Sequence, residues 1–188
     1  MSMRELPDSE CACAGRRQAL RAILLGAVTF AVSLPALSAA GAERRLVLIN
    51  THTGEVLDTV YWADGNYRPV ELGRLDWIFR DHRASSVLAL DSRLFDLLHE
   101  LAATAGLEPR YQIISGYRSP ATNAMLRVAS DGVSSRSLHM QGKALDVRLE
   151  GLPLASLRDL AIARRAGGVG YYPQSDFVHL DVGRIRSW

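Results

Sequence analysis

The stretch SLHMQGKALDV, residues 137–147, decides how the chain is read, because it sets a histidine and an aspartate seven positions apart around a glycine and an alanine. One continuous helix would separate His139 from Asp146 by ~10 Å along its axis, and one continuous strand by ~23 Å. For both to serve one site the chain must fold back between them. Gly142 supplies the backbone freedom for that return, and Ala144 leaves space beside the carboxylate.

Working outward, residues 143–149 read as a strand with Ala144, Asp146 and Arg148 on one face and Leu145, Val147 and Leu149 on the other. Residues 177–182 repeat the pattern, with Phe177, His179 and Asp181 opposite Val178, Leu180 and Val182. Each strand thus has an apolar face to bury and a face bearing potential ligands. Between them, Pro153 to Ala166 reads as a helix that covers the apolar side and is stopped by Gly167-Gly168.

Upstream, Leu46 to Ile49 and Glu55 to Tyr61 flank Thr53-Gly54 as a hairpin, with turn chemistry at Asp64-Gly65-Asn66. Val70 to Arg80 suits a short helix. Asp91 is placed to cap a helix whose Leu94, Leu97, Leu98, Leu101 and Ala105 recur at three and four residues before Gly106. Tyr111 to Ile114 suits a short strand, and Ser119-Pro120 a cap and first helical position for a helix through about Val128. The fold class expected is α+β: a small, mostly antiparallel sheet with helices on one side and a cleft on the other.

Residues 1–42 have another character. Arg16-Arg17 precede an apolar run from Ala22 to Leu37 and the small residues of 38–42, the order of an export signal, with paired arginines of the twin-arginine kind. Thr29, Ser33 and Pro35 interrupt the run, which is shorter than the ~20 apolar residues a membrane span needs. Export and removal of 1–42 are therefore expected, leaving a single periplasmic domain over 43–188, monomeric and without a stable membrane span. Both cysteines, Cys11 and Cys13, fall in the segment removed, so disulfides, thiolate ligands and cysteine nucleophiles are excluded from the rest. From Glu43 onward 18 Arg and Lys face 17 Asp and Glu, a balance without the concentrated basic face that nucleic acid demands.

With His179 from a neighbouring strand, His139 and Asp146 complete a His, Asp, His donor set. Three protein ligands and one open position are the pattern of a catalytic zinc, and nitrogen and oxygen donors without thiolate suit that metal. Spacing alone leaves open a plainer arrangement, in which His179 is an ordinary hydrogen-bonded strand residue and Asp146 an ion-pair partner. His52, His82 and His99 have no comparable surroundings.

Taken together, Ser137-x-His139-x-x-Gly142-x-Ala144-x-Asp146, Asp176-x-x-His179 and Ser115-Gly116-Tyr117-Arg118-Ser119 resemble the zinc peptidase family of D-Ala-D-Ala dipeptidases and carboxypeptidases. Residues 168–173, 177–183 and Arg186-Ser187-Trp188 resemble more narrowly its exported YcbK-like subgroup of murein endopeptidases. The resemblance implies a hedgehog-like fold, peptidoglycan as substrate, and zinc held by His139, Asp146 and His179. It implies that Arg118 steadies the substrate carbonyl and its oxyanion, that Ser137 and Tyr117 contact substrate, and that Asp176 is the general base where the dipeptidases have a glutamate. Strand alternation would put Asp176 opposite His179, so that role needs a loop or bulge; Asp181, on His179's own face, is placed to orient a ligand histidine.

Rival cell-wall chemistries lack their nucleophiles. The only lysine, Lys143, has Met140 three residues before it rather than serine, and there is no Gly-x-Ser-x-Gly elbow. The alternative kept beside the endopeptidase is a weakly active or inactive zinc-containing module that grips peptidoglycan.

Overall fold

In the computed structural model the described residues are 43–129 and 132–188. The export segment expected over 1–42 lies outside them. No helix among the described residues is long and apolar enough to cross a membrane.

The described chain enters as the expected hairpin, β1 (Arg44–Asn50) antiparallel to β2 (Val56–Ala63). Asn50 shapes its turn: the side-chain oxygen accepts the backbone N–H groups of His52 and Thr53 at 2.9 and 3.1 Å. Short β3 (Asn66–Tyr67) follows, then α1 (Pro69–Ile78), which starts on a proline whose missing N–H costs nothing there. α2 (Arg93–Ala105) carries the apolar three-and-four repeat and closes on left-handed Gly106. Asp91 caps it as expected: its Oδ1 accepts the Arg93 N–H at 3.2 Å and its carbonyl the Leu94 N–H at 2.9 Å.

β4 (Arg110–Ser115) leads to α3 (Pro120–Ala129), capped as expected by the Ser119 hydroxyl, which accepts the Thr122 N–H at 3.2 Å. A 3-10 turn over Leu138–Gln141 precedes β5 (Ala144–Leu149) and α4 (Leu154–Arg164). β6 (Gly168–Tyr172), β7 (Phe177–Asp181) and β8 (Arg186–Ser187) end the chain given. α4 stops short of Ala166, with Arg165 left-handed at φ 55°. Gly167 and Gly168 serve a close approach instead: a Cβ on them would fall 1.8 Å from the Asp181 carbonyl oxygen and 2.4 Å from Asp181 Oδ2 respectively.

All eight strands form one sheet in the order β3-β2-β1-β4-β5-β7-β6-β8, antiparallel except for β1–β4 and β6–β8. It is larger than the small sheet expected. Glycine-rich β6 carries little of the β-branched signal of a strand, and two-residue β8 exists only by pairing with it. One face of the central strands, through Tyr111, Ile113, Leu145, Val147, Val178 and Leu180, packs on α1, α2 and α4 in a single apolar core. Each such fully buried side chain contributes roughly 1.5–3 kcal/mol. α3 supplies nothing to that core and buries only Thr122 and Asn123. The other face of β5 and β7 floors the cleft.

Candidate active site

β5 and β7 pair with Asp146 directly opposite His179, and alternation sends both side chains to the cleft face. His139 reaches them from the 3-10 turn, which Gly142 reverses into β5 with a left-handed φ of 65°. A Cβ there would also meet the Ala89 carbonyl oxygen at 2.7 Å, so any other residue is refused twice. His139 Nε2, Asp146 Oδ1 and His179 Nδ1 approach one another at 3.2, 3.1 and 2.8 Å around the triangle. Ligand atoms of a tetrahedral zinc at its usual bond lengths stand about 3.3 Å apart, so the three match that geometry closely.

The atoms behind the triangle set its chemistry. His139 Nδ1 lies 2.7 Å from the Gly116 carbonyl, which can only accept, so the proton sits on Nδ1 and the Nε2 lone pair faces inward. His179 is turned the other way, with Nε2 3.2 Å from Asp181 Oδ2 and Nδ1 facing inward. Asp181 is fully buried and fully engaged: it accepts the N–H groups of Gly168 and Gly183 at 2.9 and 2.8 Å and Arg186 Nη2 at 2.7 Å. Asp146 Oδ2 accepts the Arg118 guanidinium, whose Nε is anchored on Ser115 Oγ at 2.9 Å.

The protonation states follow from these contacts. Burial lowers the pKa of His139 and favours the neutral ring. Burial also opposes charge on His179, yet Asp146 and Asp181 outweigh it and raise its pKa to about 9. Asp146 and Asp181 are pushed up by burial but held well below the ordinary carboxylate range, by His139 and His179 in one case and by His179, Arg186 and two backbone N–H groups in the other. His139 offers an inward lone pair, His179 offers a second once a cation displaces its Nδ1 proton, and with the Asp146 carboxylate these donor types around one point fit zinc.

The cleft above has a volume of about 440 Å³ and is lined by Arg118, Arg136, Ser137, Tyr172, Arg186 and Trp188 together with the triangle. The structure thus brings together His139, Asp146, His179, Arg118 and Ser137, with Asp181 beneath. Two expected residues lie elsewhere. Tyr117 is packed against the apolar core, its N–H donated to the Phe79 carbonyl at 2.8 Å, and does not line the cleft. Asp176 has the turn conformation its role required, with φ 54°, but its carboxylate pairs with Arg148 Nε at 3.0 Å and is 64% exposed. It borders a neighbouring groove with Gln112 and Arg148, and Asp146 is the only carboxylate residue lining the cleft among the described residues. The turn swings Asp176 onto the ligand face but toward the arginine two residues beyond Asp146.

Sequence reading assigned no role to Arg136, Tyr172, Arg186 or Trp188. Trp188 sits 5.3 Å from the His179 ring and donates its indole N–H to the Tyr172 hydroxyl at 2.8 Å, forming an aromatic wall. Trp188 lies just beyond two-residue β8, too short a strand to leave a periodicity signal.

Fold and site place the chain in the zinc peptidase class that its motifs resemble. It belongs to the family described as peptidoglycan L,D-endopeptidase MepK, whose family model matches residues 38–188. The chain is 42% identical over 177 residues to the peptidoglycan L,D-endopeptidase MepK of Escherichia coli (strain K12) and to that of Shigella flexneri, covering 93% of this chain and 97% of each relative. It is 38% identical over 170 residues to the probable peptidoglycan L,D-endopeptidase MepK of Haemophilus influenzae, covering 90% of this chain and 91% of that one. No solved structure matches.

Proposed function

We propose that the chain is a zinc-dependent peptidoglycan L,D-endopeptidase, exported by residues 1–42 and acting in the periplasm as a monomer over 43–188. The observation that carries this reading is the convergence of His139, Asp146 and His179 in an open cleft, in a chain 42% identical over nearly its whole length to proteins of that name. His139, Asp146 and His179 would hold the zinc, which when bound would lower the pKa of a water and polarise the scissile carbonyl.

The protein's own groups do the rest. The Gly116 carbonyl and Asp181 hold the two imidazoles so that their lone pairs face one point. Arg118, braced by Ser115, presents a fixed cation at the cleft and shares the charge that develops on the substrate oxygen. Ser137 has its hydroxyl at the cleft and steadies the peptide. Asp176, next to cleft-lining Ser175 and Phe177, takes the proton of the attacking water and returns it to the leaving amine when its pair with Arg148 opens.

That pair also favours a second reading, a zinc-holding module that grips peptidoglycan without cutting it. Incubating the purified chain with intact sacculi, with and without chelator, and weighing the released muropeptides separates the two. Chelator-sensitive release of monomers from L,D cross-links is expected; metal content without release would leave only the binding module.

A further inference from the structure

Three guanidinium groups line the cleft, and they are not equivalent. Arg118 is committed to Asp146 and Ser115, and Arg186 to buried Asp181. Arg136 is exposed at the cleft, and its guanidinium has no hydrogen-bond or ion-pair partner among the described residues. Its backbone is nonetheless held: the Arg136 N–H is donated to Ser134 Oγ at 3.1 Å, and buried Asn123 of α3 donates its amide to the Ser134 carbonyl at 3.0 Å. A cation on an anchored segment is therefore presented to the cleft uncompensated. Asp146, the lone lining carboxylate among the described residues, is already ringed by two histidines and Arg118, so it offers an incoming anion little repulsion.

We infer that Arg136 is a specificity-determining residue that binds a free carboxylate of the substrate beside the scissile amide. The inference rests on the endopeptidase reading and deepens it. An L,D bond between two diamino-diacid residues uses the amine of a D-centre, and that same carbon carries its own carboxylate. A planar guanidinium pairs with carboxylate in two parallel hydrogen bonds, which a carboxamide cannot reproduce. The aromatic wall of Tyr172 and Trp188 lines the same cleft and offers apolar surface to the hydrocarbon arm of such a residue. The enzyme would therefore favour peptidoglycan with free rather than amidated carboxylates at the cross-link.

The test uses two synthetic cross-linked tripeptide dimers, identical except that the carboxyl group on the carbon bearing the scissile nitrogen is free or amidated. For the zinc-loaded full chain, kcat/KM for the free acid should exceed that for the amide by about tenfold, mostly through KM. In Arg136→Gln the ratio should fall to about one, and Arg136→Lys should keep part of it. Calorimetric titration of the metal-free protein with both dimers should give the same order of affinities, with its loss in R136Q. Equal handling of acid and amide by the unmodified protein, or a ratio untouched by R136Q, overturns the inference while leaving the endopeptidase intact. Cleavage of neither dimer, with the acid still bound more tightly, overturns the endopeptidase and supports the carboxylate site.

Discussion

The two faces of β5 and β7 share one backbone and have opposite jobs. On one, Leu145, Val147, Val178 and Leu180 are fully or almost fully buried against the helices. On the other, Asp146 and Asp181 are equally buried but charged, and each survives there because the groups bonded to its carboxylate offset the cost of burial. The apolar face supplies stability, and its close packing holds the opposite face to the sub-ångström positions that a ligand triangle needs. The charged face adds chemistry at the expense of desolvation. The difference teaches that the site is rigid because of residues that never touch it.

If the faces are separable in this way, changes on the cleft side should cost activity and changes on the core side should cost stability. The largest effect is expected from the triangle: Asp146→Ala or His179→Ala should bring muropeptide release to background and abolish stoichiometric zinc, measured by metal analysis of the dialysed protein. Arg118→Ala should keep the zinc and lower kcat by about 10²–10³, as loss of one oxyanion donor does. Asp181→Asn should come next, lowering zinc affinity or activity by about 10–100-fold through a poorly oriented His179.

On the core side, Leu145→Ala should cost about 2–5 kcal/mol in denaturant unfolding, with near-normal kcat per folded molecule. A drop in kcat as large as that of Arg118→Ala would break the separation. The smallest effect expected is on pH. A folded pKa of about 9 for His179 lies above its ordinary 6.5, so the metal-free protein should have this stabilisation in full below pH 6.5 and lose it as pH rises toward 9. His139, with its pKa lowered, acts only below its ordinary 6.5 and in the opposite sense, so the two windows do not overlap. Melting temperatures recorded in chelator from pH 6.5 to 9 should fall, and His179→Gln should flatten that slope.

Much of this was legible in the residues. Alternation over 144–149 and 177–182 separated the two faces before any pairing was known, and the return through Gly142 followed from the reach of seven residues. The proline and serine at the start of α3 marked its beginning, because capping is a local matter of one side chain and the next few N–H groups. Where the side chains of Asp176 and Tyr117 rest could not be read locally, because distant partners set it: Arg148 pairs with the Asp176 carboxylate, and Phe79 with the core holds Tyr117. Gly167 and Gly168 read as a helix stop, whereas their small size makes room for Asp181.

By itself the sequence determined the period of each strand, the caps and turns, the absence of thiols from 43–188 and the donor types gathered around residue 139. These are properties of the chain within a few bonds, governed by sterics and local hydrogen bonding. Only the tertiary structure decided that Asp146 stands opposite His179, that Asp181 holds the second imidazole, that Asp176 turns to Arg148, and that Arg136 faces the cleft without a partner among the described residues. Those outcomes come from strand register and packing between segments far apart in the chain, where the energy of a contact depends on which surfaces meet and not on which residues are neighbours.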